Sequence, residues 1–542
     1  MSKFKFIWLV CGILSVLILF PKHSFGQDVV AESVSYSIPK TIFFTGEKIW
    51  IQAQVLQKNS PTSSHVLYAE LLNRENQSVH LAKLLLEKGN VFHFLEIPTD
   101  IPSDNYLLRV YTRISPILDM ENGLQQQFVT IFNPNKPPQV KAELPSAFES
   151  PIETNSSVSL SKQSLLDGEE LSVSWGSLSN VSEVKIRVKN PYLEDQGLIS
   201  SSKIYEGEVG GKLLPELFGH IVAAQVDPRT VDTTKVYFLS VHGRESALYT
   251  DRPDSEGNLY FDIGGLKHWD FMIAQADQNG SLLDFEFRSP AVQTSFKPGF
   301  KFPELVISPK DQPYLQELLI SSGVQTFFIE NYAQEPVPVV TGFVADRTFM
   351  LDDYTRFESV ETVIKEYVPM ISLRTRKGLK EFRSVNENGG VFSGNPLMLV
   401  DGMPVFDSDQ LASFNPKSFE KLEVLSRLFY LNDREFEGVM SFSSYQSNVG
   451  GFPLPTNAFF TQTPGIQVPV ELLQPISASP EDSEDFRSIL FWSADEKSEM
   501  PDSNSLNVKI PNLPVPFEVE VISKSPQGEV VRNKASFWVK KD

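Results

Sequence analysis

Between Lys48 and Gln57 the chain keeps a period of two: Ile49, Ile51, Ala53 and Val55 alternate with Trp50, Gln52 and Gln54. Period two is the side-chain repeat of a β-strand, whose apolar face must be buried against a second layer. The segments Val66–Leu72 and Tyr106–Tyr111 have the same character, rich in Val, Leu and Tyr. Pro39, Thr45-Gly46 and Ile101-Pro-Ser-Asp-Asn105 supply turns between them. Residues 30–133 are therefore expected to form a β-sandwich.

The pattern continues along the chain. Asn133-Pro-Asn-Lys-Pro-Pro138 is expected to be a linker, because paired prolines cannot continue a central strand. Leu171–Trp175 and Val184–Val188 read as strands of a second, less regular sandwich. Gly219–Ala223, Val236–Val241, Asn258–Asp262 and Phe271–Ala274 fall at strand-and-turn intervals and define a third. Helical spacing then appears. Over 309–332, Leu315, Leu318, Leu319 and Ser322 share a face and Pro313 suits the first turn. Over 359–368, Val360, Val363, Ile364 and Tyr367 form a stripe, with Ser359 as N-cap. Residues 486–540 read as a final sandwich, closing on Ala535–Val539.

The first 26 residues have the form of a secretory signal. Lys3 and Lys5 precede the apolar run Phe6–Phe20, too short to span a bilayer, and Ser24-Phe25-Gly26 is a small-x-small cleavage site. The mature chain is expected to begin at Gln27. Cys11, the only cysteine, lies within the apolar run, which leaves no thiol for disulfides, nucleophilic catalysis or metal ligation. Without Lys3, Lys5 and Lys22, 45 Lys+Arg face 68 Asp+Glu, a net charge of −23. Such acidity argues against nucleic acid and anionic lipid as partners. No later apolar run is long enough to span a membrane, so no span is expected after cleavage.

Three segments carry resemblances. Phe44–Ala53, Tyr68–Leu71 and Ile101–Thr112 are similar to the macroglobulin-type (MG2) domain of the alpha-2-macroglobulin family, a scaffold sandwich without catalytic residues. The 215–290 unit, with its Asn258-Leu-Tyr-Phe-Asp262 strand, resembles the carboxypeptidase-regulatory-like sandwich, a name that implies no peptidase activity. Asn395–Val405, Phe419–Leu425 and Phe436–Phe442 resemble the core strands of the plug domain of TonB-dependent outer-membrane receptors. A receptor barrel of about 22 strands, each roughly 10 residues, needs well over 200 residues after the plug. Pro455 is followed by 87, so the resemblance implies a plug-like module without its barrel. The order of units resembles a family of exported Bacteroidetes proteins, with Leu351–Phe357, Lys365–Pro369, Asp485–Arg487 and Leu490–Trp492 as further matching segments.

The expected architecture is mainly β: Ig-like or macroglobulin-like sandwiches in series with one small α+β plug-like domain. The expected boundaries are signal 1–26, MG2-like sandwich 28–135, second sandwich 150–213, regulatory-like sandwich 214–295, plug-like domain 305–455 and C-terminal sandwich 470–542.

No catalytic constellation emerges. His65, His80, His93, His220, His242 and His268 show no close pairing for zinc, and strand alternation sets His93 opposite Phe92 and Phe94. No serine sits in a G-x-S-x-G elbow and no Gly-rich phosphate loop is present. The alpha-2-macroglobulin thioester needs a cysteine that the mature chain lacks. Asp401, Asp407 and Asp409 bracket a turn and are oxygen ligands that calcium could use, but their spacing is not that of an EF-hand loop. Asp352-Asp353 is explained by the start of a helix, and Asn76-Gln-Ser78 fits a glycosylation sequon. The 40 Phe suit the cores of several thin sandwiches better than a sugar-binding platform. Neither cofactor nor metal is expected.

The candidate partner-binding residues are Asp401, Gly402, Met403, Pro404, Val405 and Phe406, an apolar pair beside a tight turn. If Phe406 is exposed it belongs to a docking patch; if buried, it is core. The reading is a non-enzymatic scaffold and interaction protein, exported to the periplasm, outer membrane or cell surface. Its partner would be an envelope protein, a TonB-dependent receptor among the candidates. The rivals are an accessory peptide- or glycan-binding component of TonB-dependent nutrient uptake and a hydrolase with an unfamiliar site.

Overall fold

The computed structural model describes residues 30–541 except 150–156, 177, 195–196, 265, 277–282, 284, 330–331, 335–341, 387–388, 433, 481–483, 502 and 526–529. The signal-like segment 1–26 lies outside the described residues. The fold is mainly β, as expected. Among the described residues no helix is long and apolar enough to cross a membrane.

The first sandwich packs strands Glu32–Ser37, Lys48–Gln57, Ser60–Pro61 and Asn90–Glu96 against a five-stranded sheet. That sheet runs Ile42–Phe44, Leu124–Phe132, Asp104–Tyr111, Val66–Leu72, Ser78–Leu85. Ile49, Ile51, Ala53 and Val55 enter the core between them. The other faces are covered as well. Trp50, Phe92 and Phe94 are buried under Leu472, Ile476, Ile489 and Trp492. Tyr68, Tyr111 and Phe128 are buried under Leu193, Ile204, Tyr205 and Ile466. This explains why all seven residues of Val66–Leu72 are buried rather than alternate ones.

The second sandwich corrects the expected boundaries. One sheet joins Ser159–Leu160 and Glu170–Ser174 to Ser505–Lys509. The other runs Ser164–Leu166, Val530–Lys540, Pro516–Lys524, Val181–Val188, Ile489–Trp492. Trp175, Val184 and Ile186 share one core with Phe517, Val519 and Phe537. The segments read as separate sandwiches at 150–213 and 470–542 are thus halves of one. Each half contributes strands to both sheets, so the core between them closes only when the two halves come together. Val181–Val188 pairs directly with Ile489–Trp492, so residues 189–488 are an insertion between two neighbouring strands.

Within that insertion lies the third sandwich. Asn258–Asp262, Ile221–Gln225 and Glu286–Arg288 form one sheet. Ser246–Asp251, Tyr237–His242, Phe271–Ala276 and Phe459–Thr461 form the other. Its last strand comes from beyond residue 455, outside the expected 214–295 unit.

The helix Gln312–Ile329 follows the capping box at Ser308 and Asp311, inside the expected 309–332. It does not belong to the α+β module as the 305–455 boundary supposed. Leu318 packs in the second-sandwich core, and Ser321 Oγ donates to the Phe486 carbonyl at 2.7 Å. Leu319, assigned to the buried face, is exposed; Ser321 is buried instead. The α+β module proper is the sheet Arg347–Met350, Phe419–Leu425, Val439–Ser444, Leu397–Val400, Met403–Pro404. One face carries the helices Val360–Tyr367 and Ser408–Ser413. Ser359 caps the first by accepting from the Thr362 N–H, and Val360, Val363 and Ile364 are buried, as their spacing predicted.

Candidate functional site

The Asp401-Gly402 turn joins Leu397–Val400 to Met403–Pro404 with φ of +47° and +77°. Two positive φ values are what a tight two-residue hairpin requires, and Asp and Gly both tolerate them. The Asp401 carboxylate accepts from the Ser444 N–H at 2.7 Å and the Val449 N–H at 2.8 Å. Gly402 lies against the Ala247 backbone, where an added Cβ would sit 3.4 Å from two of its atoms. Met403 and Val405 are buried in the α+β core. The Pro404 carbonyl accepts from Gln275 Nε2 at 3.2 Å. Phe406 is half-buried, its ring edge-on to Phe238 with centroids 5.4 Å apart. The structure therefore brings all six residues together, but as a joint between the α+β module and the third sandwich. Phe406 is partly covered by Phe238, between the exposed patch residue and the core residue considered for it.

Beside this joint a groove of about 810 Å³ opens between the two modules. Its floor is the second face of the α+β sheet, where Lys421, Glu423, Ser441 and Ser443 point away from the helices. The apolar end of that face is made by Leu397, Leu399, Leu425 and Val439, with Leu248 and Phe429 packed on it. One wall is the strand Ser246–Asp251, which the sequence reading passed over. The run Ser-Ala-Leu-Tyr-Thr after Gly243 was the available signal, short and only weakly alternating. Lys421 pairs with Glu423 at 3.0 Å, and burial pushes the Tyr249 phenol up to about 12. Tyr445 donates to Asp352, and that hydrogen bond raises its pKa. The lining residues include serines but no histidine.

The remaining sequence candidates have structural employment. Asp407 caps the helix Ser408–Ser413 through the N–H groups of Asp409 and Gln410, and Asp409 accepts from the Lys380 N–H at 2.8 Å. Asp352 lies in a helical turn, paired with Arg356. Asn76 donates its side-chain amide to the Thr294 carbonyl. His93 meets the Val468 carbonyl at 2.9 Å through Nε2, and His268 meets the Ile466 carbonyl at 2.7 Å through Nδ1. His220 sits in a buried cluster with Glu216, Tyr68 and Arg113, its Nδ1 2.8 Å from Glu216 Oε1. Burial drives His220 down to about 4 against the pull of that carboxylate. His242 stacks on Phe271 at 4.6 Å, and burial drives it down to about 3. Among the described residues no three His, Cys, Asp or Glu cluster in a way that could hold a metal ion.

No family model matches the chain and no curated protein matches it. Among solved structures it aligns with Salmonella alpha-2-macroglobulin reacted with methylamine, at 9% identity and a TM-score of 0.16, over 94% of this chain and 23% of that one. The D0–D1 domain of intimin aligns at 10% identity and a TM-score of 0.15, over 49% of this chain and 97% of that one. A tetra-tandem repeat from the extending region of a large adhesion protein aligns at 8% identity and 0.13, over 94% and 99%. The chain thus spans about a quarter of the macroglobulin's length. Scores this low assign neither a family nor a function.

Proposed function

We propose that the chain is a non-enzymatic scaffold and interaction protein of the cell envelope. In this reading it binds a protein partner in the groove between the α+β module and the third sandwich. The observation that carries it is the second face of the α+β sheet. The first sandwich has both outer faces covered by neighbouring segments, whereas this one borders an open groove of about 810 Å³. That volume falls in the range of ligand sites, and its mixed apolar and polar lining suits a polypeptide better than a small apolar ligand. The signal-like N-terminus and the acidic surface support an envelope location and a cationic or neutral partner.

The test is photo-crosslinking in native envelopes. A crosslinking residue at Ser443 or Tyr249, both groove-lining, should capture one partner protein, and the same residue at exposed Val530 should not. Recovery of a β-barrel receptor would assign the chain to nutrient uptake. Equal capture from all three positions would refute the groove. Reproducible turnover on peptide, ester or glycoside panels, lost on one groove substitution, would replace the reading with an enzyme.

A further inference from the structure

We propose that the groove takes an extended, cationic segment of the partner, which adds as a new strand to the free edge of Ser246–Asp251. The inference rests on the groove being the binding site and goes further by naming the mode and chemistry of what binds. Among the described residues, Ser246–Asp251 is the terminal strand of its sheet and pairs with Tyr237–His242 alone. In an antiparallel pair both backbone groups of a residue point to the same side, alternating along the strand. The His242 carbonyl accepts from the Asp270 N–H at 2.7 Å, so His242 faces away from Ser246, its register partner. The backbone groups of Ser246, Leu248 and Thr250 therefore point out of the sheet. Asn432 confirms this parity, since its side-chain amide donates to the Thr250 carbonyl at 2.7 Å. That contact caps one end of the edge. At Leu248 the edge opens on the groove.

An unpaired strand edge is a template for another strand, and natural proteins usually block it with a charge, a proline or a bulge. Ser-Ala-Leu-Tyr-Thr-Asp carries no proline and its only charge is at the far end. Main-chain pairing at such an edge gives affinity, and pockets for alternate side chains give selectivity. Here Leu248, packed on Leu397 and Leu399, gives the groove one apolar end. Charge fixes the rest. Lys421 is neutralised by Glu423, while Glu245 and Glu420 have no ion-pair partner among the described residues. Only Arg244, exposed at the mouth, offsets them. A net −20 chain adds a long-range pull on basic segments.

Phage-displayed eight-residue peptides selected on the mature chain, then resynthesised and titrated by fluorescence anisotropy, test this. Selected peptides should alternate apolar residues and carry Lys or Arg. N-methylation of backbone amides at one alternate set of positions should abolish binding, and at the other set leave it within threefold. On the protein, L248P removes an N–H that the sheet does not use and should weaken binding at least tenfold. L248A keeps the N–H and should weaken it less. Unchanged thermal melting of L248P certifies its fold; if it does not fold, the N-methyl series decides alone. Binding that survives L248P and every N-methylation, but is lost in E420K with L399R, refutes strand addition and leaves the groove standing. Binding untouched by any of these refutes both, and a selection with no binder refutes the extended peptide.

Discussion

The first sandwich and the α+β module use the same material in opposite ways. Each has a sheet whose one face builds a core. In the first sandwich the second faces carry Trp50, Phe92 and Phe94 on one side and Tyr68, Tyr111 and Phe128 on the other, all sealed by later parts of the chain. In the α+β sheet the second face carries Lys421, Glu423, Ser441 and Ser443 and meets a groove. The aromatic faces bind the protein to itself, and the polar one borders open space.

The largest test of this contrast is Trp50→Ala. Trp50 is on an outer face by topology but is 1% exposed. Denaturant unfolding should show a loss of about 3–5 kcal/mol, the cost of a buried aromatic truncation. A loss below about 1 kcal/mol would mean that the covering segments are only loosely laid on.

Acid tests the joint between the two regions' neighbours. His242 lies at the third sandwich where Phe271 packs toward the α+β core. Its folded pKa of about 3 lies below the ordinary 6.5, so the unfolded chain takes up the proton first. Its stabilisation is complete above pH 6.5, declines as pH falls toward 3 and is constant below. Between pH 7 and pH 5 the single residue should account for about 2 kcal/mol. The His242→Gln variant should lose this part of the acid dependence, read from melting temperature against pH. An unchanged slope would show that His242 is solvated.

Gly402→Ala comes next. A positive φ and the nearby Ala247 backbone should cost about 1–2 kcal/mol in thermal unfolding. A neutral result would mean that the joint yields. The smallest effect belongs to the groove floor, where Ser443→Ala should stay within about 0.5 kcal/mol by the same measurement, while crosslinking or peptide binding changes. A large stability loss there would erase the contrast with the first sandwich.

Local signals carried far into the structure. Ser359 with Val360, Val363 and Ile364 defined a helix from sequence because cap and stripe lie within one short segment. The alternation at Ile49–Val55 did the same for a strand. The identity of the second sandwich was hidden, since Val184 and Phe517 share a core across more than 300 positions and no local period records such a pairing. Leu319 misled because an apolar residue on a helix need not face the core. Of the candidate site, the turn Asp401–Phe406 was legible as a turn. Its role as a joint was not, since Phe238 and Gln275, which cover it, come from another module. The edge strand Ser246–Asp251 was missed because its alternation is short and weak.

The insertion of residues 189–488 between paired strands also sets a clock. At about 5–20 residues per second, a ribosome needs roughly 15–60 s to add the 300 residues between Val188 and Ile489. Through that interval Val181–Val188 has no neighbour on either side, since Pro516–Lys524 comes later still. A chain interrupted anywhere before Ile489 would present this unmatched strand to holding chaperones and proteases.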